Sequence, residues 1–252
     1  MNMITIKNVI LTLVAVFAFS ACDMFKIDNY PGPNASINGG IIDELTGELV
    51  PTDLVNGSRF QFQELGYPAG LITRSIMQDG KYRDDLFFAG TYSIDFNQCN
   101  FFPHKIETIT FQKGNNTQDF KVTPYIRVKT LSISKVGNLI VAKFTLQAGR
   151  DNVRLSRIDL YAGTDIYIGS GFTYFTRAGS GYSQSFSNVV INEANVYELS
   201  LDLKNVSNND FFKYKKNYYF RVGALATVSG TNVGTIRNNY GETVVLNFKA
   251  NE

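Results

Sequence analysis

The chain has 252 residues, 44% hydrophobic and 13% aromatic, with 20 Phe, 14 Tyr and no Trp. Its formal net charge is +2 with both signs interspersed, so it lacks the basic stripe that nucleic-acid binding requires. One histidine and two cysteines exclude a zinc site built on two or three His and exclude a framework of several disulfides.

Lys7 precedes a run from Val9 to Phe19 that is almost wholly apolar and ends in Ser20-Ala21-Cys22. A cationic flank, an apolar segment of this length and small residues at its end make a secretory signal. The run is too short to span a bilayer as a helix, which needs roughly 20 apolar residues. Phe19-Ser20-Ala21-Cys22 resembles the bacterial lipobox, in which the Cys becomes the acylated first residue; Phe19 stands where that pattern prefers Leu. The expectation is a signal peptide over residues 1–21, cleavage before Cys22, and anchoring to a lipid membrane through acylated Cys22. Each buried acyl methylene contributes roughly 0.8 kcal/mol. With Cys22 acylated, Cys99 has no partner for an intramolecular disulfide. Residues 22–36 are polar, contain Pro31-Gly32-Pro33, and read as a lipidated tether.

Beyond the tether, short alternating runs separated by turn residues continue to the C-terminus, and no long stretch carries a convincing 3.6-residue apolar period. Asp79-Gly80 is a hairpin signal and Thr46-Gly47 a tight turn. Gly90 to Phe96 alternates, with Tyr92, Ile94 and Phe96 on one face. Ile106 to Phe111 is a further strand, after which Lys113-Gly114-Asn115-Asn116 is expected to turn the chain toward Phe120 and Val122. Pro124 closes this first domain, since proline donates nothing to a sheet ladder.

The second half starts near Tyr125. Val128 to Ser134, Asn138 to Gln147 and Val153 to Ala162 are strand candidates. Val196 to Leu203 alternates through Tyr197, Leu199, Leu201 and Leu203. Thr243 to Phe248 is a last strand, with Val244, Leu246 and Phe248 facing one way. The fold class expected is all-β, with β-sandwich domains over residues 37–124 and 125–252.

Ile37 to Asp43, Thr46 to Pro51, Asp79 to Tyr82 and Gly90 to Ile94 resemble a carboxypeptidase-regulatory-like domain, a small transthyretin-like sandwich that is usually a non-catalytic spacer. Tyr218, Phe220, Val222 and Ala224, at alternate positions, resemble the penultimate strand of an immunoglobulin or fibronectin type III-like domain. That likeness implies a tyrosine corner at Tyr218, its hydroxyl bonded to backbone. Together the two halves resemble a lipoprotein family of Bacteroidota, domain of unknown function 3823. This resemblance implies association with polysaccharide utilisation at the outer membrane, and it carries no established catalytic residues.

Catalytic patterns are sparse. No Gly-x-Ser-x-Gly elbow accompanies His104, the single histidine, which is expected in a loop beside Phe101, Phe102 and Pro103. Asp84 and Asp85 are neighbours in a strand and so point to opposite faces. Gly169-Ser170-Gly171 and Gly179-Ser180-Gly181 lack the Lys and following helix of a phosphate loop. Asp151-Asn152 and Asp165 have oxygen ligands suited to calcium, but Asp and Asn also populate turns for local hydrogen-bonding reasons. No metal and no cofactor is assigned.

The segment Asp165 to Phe186 concentrates Tyr167, Phe172, Tyr174, Phe175 and Tyr182 with four glycines and Arg177. Flat rings cover the C–H face of a sugar while a cation or backbone group bonds its hydroxyl rim. Alternating Phe and Tyr also serve cores, so burial decides between a binding platform and packing. The reading is a non-enzymatic outer-membrane, cell-surface lipoprotein that captures polysaccharide. Its rivals are an assembly module contacting an outer-membrane transporter complex or another surface lipoprotein, and, more distantly, a glycoside hydrolase whose two carboxylates come from separate parts of the chain.

Overall fold

The computed structural model describes residues 31–66, 70–172, 179–230 and 233–250. The signal segment and Cys22 lie outside them. Two β-sandwich domains follow one another. In the first, β1 (Ala35–Asp43) pairs antiparallel with β4 (Lys81–Phe87) and parallel with β7 (Gly114–Thr117) and β8 (Phe120–Val122). The facing sheet is antiparallel: β3 (Ile72–Ser75), β2 (Arg59–Glu64), β5 (Gly90–Gln98) and β6 (His104–Phe111), in that order.

The period-two pattern dictates the packing. Phe60 and Phe62 on β2, with Tyr92, Ile94 and Phe96 on β5, all point inward and are fully buried. Their rings meet those of the opposite sheet: Phe62 lies 5.1 Å from Phe87, and Phe96 lies 5.0 Å from Phe120, both edge to face. Burying one such ring contributes about 1.5–3 kcal/mol.

Three local expectations change. Lys113 to Asn116 does not close a hairpin. Gly114 turns the chain with φ +87°, and residues 114–117 then become β7, crossing to the sheet opposite β6. The edge of β1 is open there, and the Asn116 side chain seals the crossover by bonding both backbone groups of Gln112. Asp79-Gly80 does form a tight turn, with Gly80 at φ +86° and its N–H donating to the Met77 carbonyl at 2.9 Å. It joins strands of different sheets, however, because β3 pairs with β2 and β4 with β1. A Cβ at Gly80 would lie 2.6 Å from the Val50 carbonyl oxygen, so only glycine fits. His104 is not in a loop: it opens β6 opposite Phe96, with its side chain exposed.

In the second domain β13 (Val196–Asp202), β10 (Leu139–Ala148) and β9 (Ile126–Val136) form one sheet. The other runs β12 (Ser183–Val190), β11 (Val153–Gly163), β14 (Lys216–Val228), with β15 (Asn239–Tyr240) and β16 (Val244–Phe248) both on the far side of β14. A short helix α1 (Val206–Phe211) links β13 to β14 and is capped by Asn205, whose side chain accepts from the Ser207 N–H. Phe144, Leu146, Leu160, Leu201, Phe220 and Val222 fill the space between the sheets. The Tyr218 ring is wholly buried, and its hydroxyl donates to the carbonyls of Tyr214 at 2.8 Å and Phe211 at 3.2 Å, the tyrosine corner the sequence implied.

Each domain has its own core, yet residues from Pro33 onward form one compact unit. The strand β11 shows why. From Ile158 to Gly163 every residue is buried, on both faces of the sheet. The inner face packs on the core just described, and residues on the outer face join a polar network that reaches the first domain.

Candidate functional site

The domains are joined by buried polar contacts. Arg221 lies on β14 between core residues Phe220 and Val222, so its side chain leaves by the outer face. It is wholly buried there, donating from Nη1 to the Thr52 carbonyl of the first domain at 2.7 Å and from Nε to the Gly241 carbonyl at 3.0 Å. Its guanidinium also sits 4.4 Å from the Tyr240 ring centroid. Burial lowers its pKa to about 10, against the opposing pull of Tyr240 and Asp53, so it stays charged at neutral pH.

Asp53 gathers the other contacts. Its carboxylate accepts from the hydroxyls of Tyr240 at 2.9 Å and Ser170 at 2.8 Å, and from the N–H groups of Gly171 and Val55. Burial opposes its ionisation, but these bonds outweigh that cost and hold its pKa below the usual carboxylate range. Burial raises Tyr240 to about 12. Gly169 and Gly171 therefore serve domain docking: a Cβ on Gly171 would strike Val55 at 2.4 Å, and one on Gly169 would meet the Asp53 carboxylate at 2.7 Å.

Beside this joint opens a cleft of about 1000 Å³. Its inner wall holds a nearly buried ion pair in which Arg127 of β9 binds Asp43 at the end of β1, with Nη2 to Oδ1 at 2.7 Å. Burial of Asp43 is again outweighed, here by Arg127 and the Leu45 N–H, and its pKa lies below the usual range. The rim carries Thr46, Glu48, Asp79, Lys129, Glu242 and Thr243 as hydrogen-bonding groups. Leu49, Val50, Met77, Ile166 and Tyr167 supply apolar surface.

Tyr167 is held outward by a specific device. Gln78 of the first domain reaches across, donating from its amide to the Ile166 carbonyl at 2.7 Å and accepting from the Ile168 N–H at 3.0 Å. The backbone on either side of Tyr167 is thus pinned, Ile168 turns into the interior, and the Asp165 carboxylate accepts the Tyr167 N–H at 3.1 Å. The Tyr167 ring remains 49% exposed on the cleft wall beside Ile166, 52% exposed.

The remaining residues of the aromatic segment go elsewhere. Tyr182 is partly buried against the core of the second domain. Phe172 is half-buried just beyond the Asp53 contact. Tyr174, Phe175 and Arg177 lie outside the described residues. Asp84 and Asp85 are bound by Arg74 and Arg83 respectively, so they do not form a facing carboxylate pair. Asn152 donates to the Ser229 carbonyl at 2.9 Å, a contact between distant parts of the chain, whereas Asp165 makes the local turn contact its residue type favours.

Asp43, Asp53, Gln78, Arg127, Arg221 and Tyr240 were not anticipated as site residues. Arg221 left one sign: a charge inside the Tyr218 to Ala224 alternation is tolerated only if something covers the outer face of that strand.

Tandem β-sandwiches with a polar seam and an open cleft define a two-domain, all-β module. Residues 35–123 match the family described as Protein of unknown function (DUF3823) N-terminal domain, and residues 126–235 match the Domain of unknown function (DUF3823_C). The chain belongs to the DUF3823 family. A crystal structure from Bacteroides uniformis ATCC 8492, of a protein provisionally named as carbohydrate binding, is 45% identical; it matches over 86% of this chain and 100% of its own, with a TM-score of 0.81. DUF3823 family proteins from Bacteroides ovatus ATCC 8483 and Parabacteroides merdae ATCC 43184 share the fold at 24% and 22% identity. Their TM-scores are 0.65 and 0.66, over 85% and 86% of this chain and all of theirs. A search of curated proteins gives no match.

Proposed function

We propose that this chain is a non-catalytic carbohydrate-binding lipoprotein of the outer-membrane surface, and that the cleft between its domains holds the sugar. The carrying observation is the Gln78 clamp, which keeps the Tyr167 ring exposed at the cleft wall. A pinned aromatic presents its flat face at little entropic cost, and a pyranose C–H face matches it. Glu48, Lys129, Glu242 and Thr243 then stand where sugar hydroxyls need donors and acceptors. The name of the 45% identical relative points the same way. Phe172 and Tyr182, both partly buried, are assigned packing roles rather than sugar contacts. Tyr174, Phe175 and Arg177, which follow Phe172 in the sequence, are proposed as further sugar contacts. Anchoring rests on Cys22 and the export signal before it. Acyl labelling of the full chain against Cys22→Ala tests the anchor. A panel of purified polysaccharides, run against the soluble chain by affinity electrophoresis, tests the binding. Retarded migration with at least one glycan is expected, and an unaltered mobility across neutral and acidic glycans alike would overturn the reading.

A further inference from the structure

The first domain has two unlike ends. β1 starts at one and finishes at the other, where Asp43 lines the cleft, and nine strand residues separate them by about 27 Å. The strand registers bring three connections together at the starting end. β2 leaves there after Glu64, which pairs with Tyr92; β4 ends there at Phe87, which pairs with Ala35; β6 ends there at Phe111, which pairs with Gly90. The chain also enters the fold there, as the Asn34 N–H donates to the Phe87 carbonyl and its side chain accepts from Ala89.

This end carries Leu65, Leu71, Leu86 and Phe88, all exposed, Leu86 by 72%. Leu65 and Leu71 flank the β2–β3 connection, and Leu86 and Phe88 flank the end of β4. The nearby charges are Lys113, Glu64 and the Arg83–Asp85 and Arg74–Asp84 pairs, which sum to zero, so no net negative charge faces outward to repel lipid phosphates. Large apolar side chains grouped on an exposed end are covered by something when the protein works.

We infer that this end of the first domain rests on the surface of a lipid bilayer, with Leu65, Leu71, Leu86 and Phe88 entering the headgroup region. The inference rests on the anchoring proposed above. Residues 23–32, which separate Cys22 from the fold, span at most about 35 Å even when extended, and they join it beside these side chains. A single anchor leaves a domain free to tumble; an apolar end at the anchor point adds a second, weaker attachment. The cleft then faces away from the membrane at the other end of β1.

The absence of Trp supplies the test. Leu86→Trp and Phe88→Trp each give the full-length acylated chain a single indole, and Val136→Trp places one at the far end of β9 in the other domain. Each protein is floated with vesicles of phosphatidylethanolamine and brominated phosphatidylcholine. The indoles at 86 and 88 are expected to shift to the blue and lose emission to the bromines, whereas the one at 136 keeps its intensity. Acylated, floated protein whose emission at both 86 and 88 is unquenched overturns the inference alone and indicates a protein occupant. A chain that carries no acyl group overturns the anchoring and the inference together.

Discussion

The Tyr240 hydroxyl of the second domain donates to the Asp53 carboxylate of the first at 2.9 Å, and both groups are buried. Each would lack a counterpart if the domains separated, as would Arg221, which binds the Thr52 carbonyl. Leaving a buried polar group unsatisfied costs about 1–3 kcal/mol. Asp53→Ala is therefore expected to destabilise the chain by at least that amount, and the parent is expected to unfold in one calorimetric transition. Two well-separated transitions would show that the seam couples the domains weakly.

Acid should weaken the same seam. The pKa values of Asp43 and Asp53 lie below the usual range in the folded protein, while unfolding returns them to about 3.9. The sign follows: their contribution is complete above about pH 5 and is lost as pH falls through 3.9 toward the folded values. An Asp43→Asn, Asp53→Asn double variant should be less stable at pH 7 and should lose less stability on acidification, as followed by circular dichroism. Parallel acid profiles for the two proteins would refute the assignment.

Cys99 is buried, its thiol donates to the Arg59 carbonyl at 3.3 Å, and burial pushes its pKa up to about 12. The thiolate is the reactive form, so native protein should resist a thiol-specific chromogenic reagent at pH 8 and react only in denaturant. Rapid native labelling would contradict this placement.

Tyr218→Phe keeps the ring and removes the hydroxyl bonds to Tyr214 and Phe211. A loss of about 1 kcal/mol is expected from denaturant titration, since the hydroxyl gives up its bonds to two part-buried carbonyls. A neutral effect would mean that the corner contributes by ring packing alone.

The sequence showed the fold well where one face of a strand meets one core. Tyr92, Ile94 and Phe96 alternate because a two-sheet sandwich buries every second residue; Tyr218, Phe220, Val222 and Ala224 keep that alternation on the inner face, although Arg221 and Gly223 between them are buried as well. Pairing across sheets was less visible. The Lys113 to Asn116 segment has turn residues in abundance, and only the open edge of β1 decides that Gly114 to Thr117 become a strand. Of the aromatic residues named from the sequence, one, Tyr167, lines the candidate cleft among the described residues. Its positioning partner Gln78 is 89 residues away and has no local pattern. Gly169 and Gly171, near Tyr167, admit Asp53 and Val55 of the first domain. Glycine spacing reports that something comes close, not what it is.

The most direct measurement of the central claim is calorimetric titration of one retained polysaccharide into the soluble chain, the Tyr167→Ala variant and the Tyr214→Ala variant. Tyr214 is an exposed aromatic on the second domain that does not line the cleft. Loss of a stacked ring costs about 0.5–1.5 kcal/mol beyond its area, so Tyr167→Ala should weaken binding by roughly threefold to tenfold or more. Tyr214→Ala should bind as the parent does. Equal affinity for the parent and Tyr167→Ala would contradict the account and remove the cleft as the sugar site.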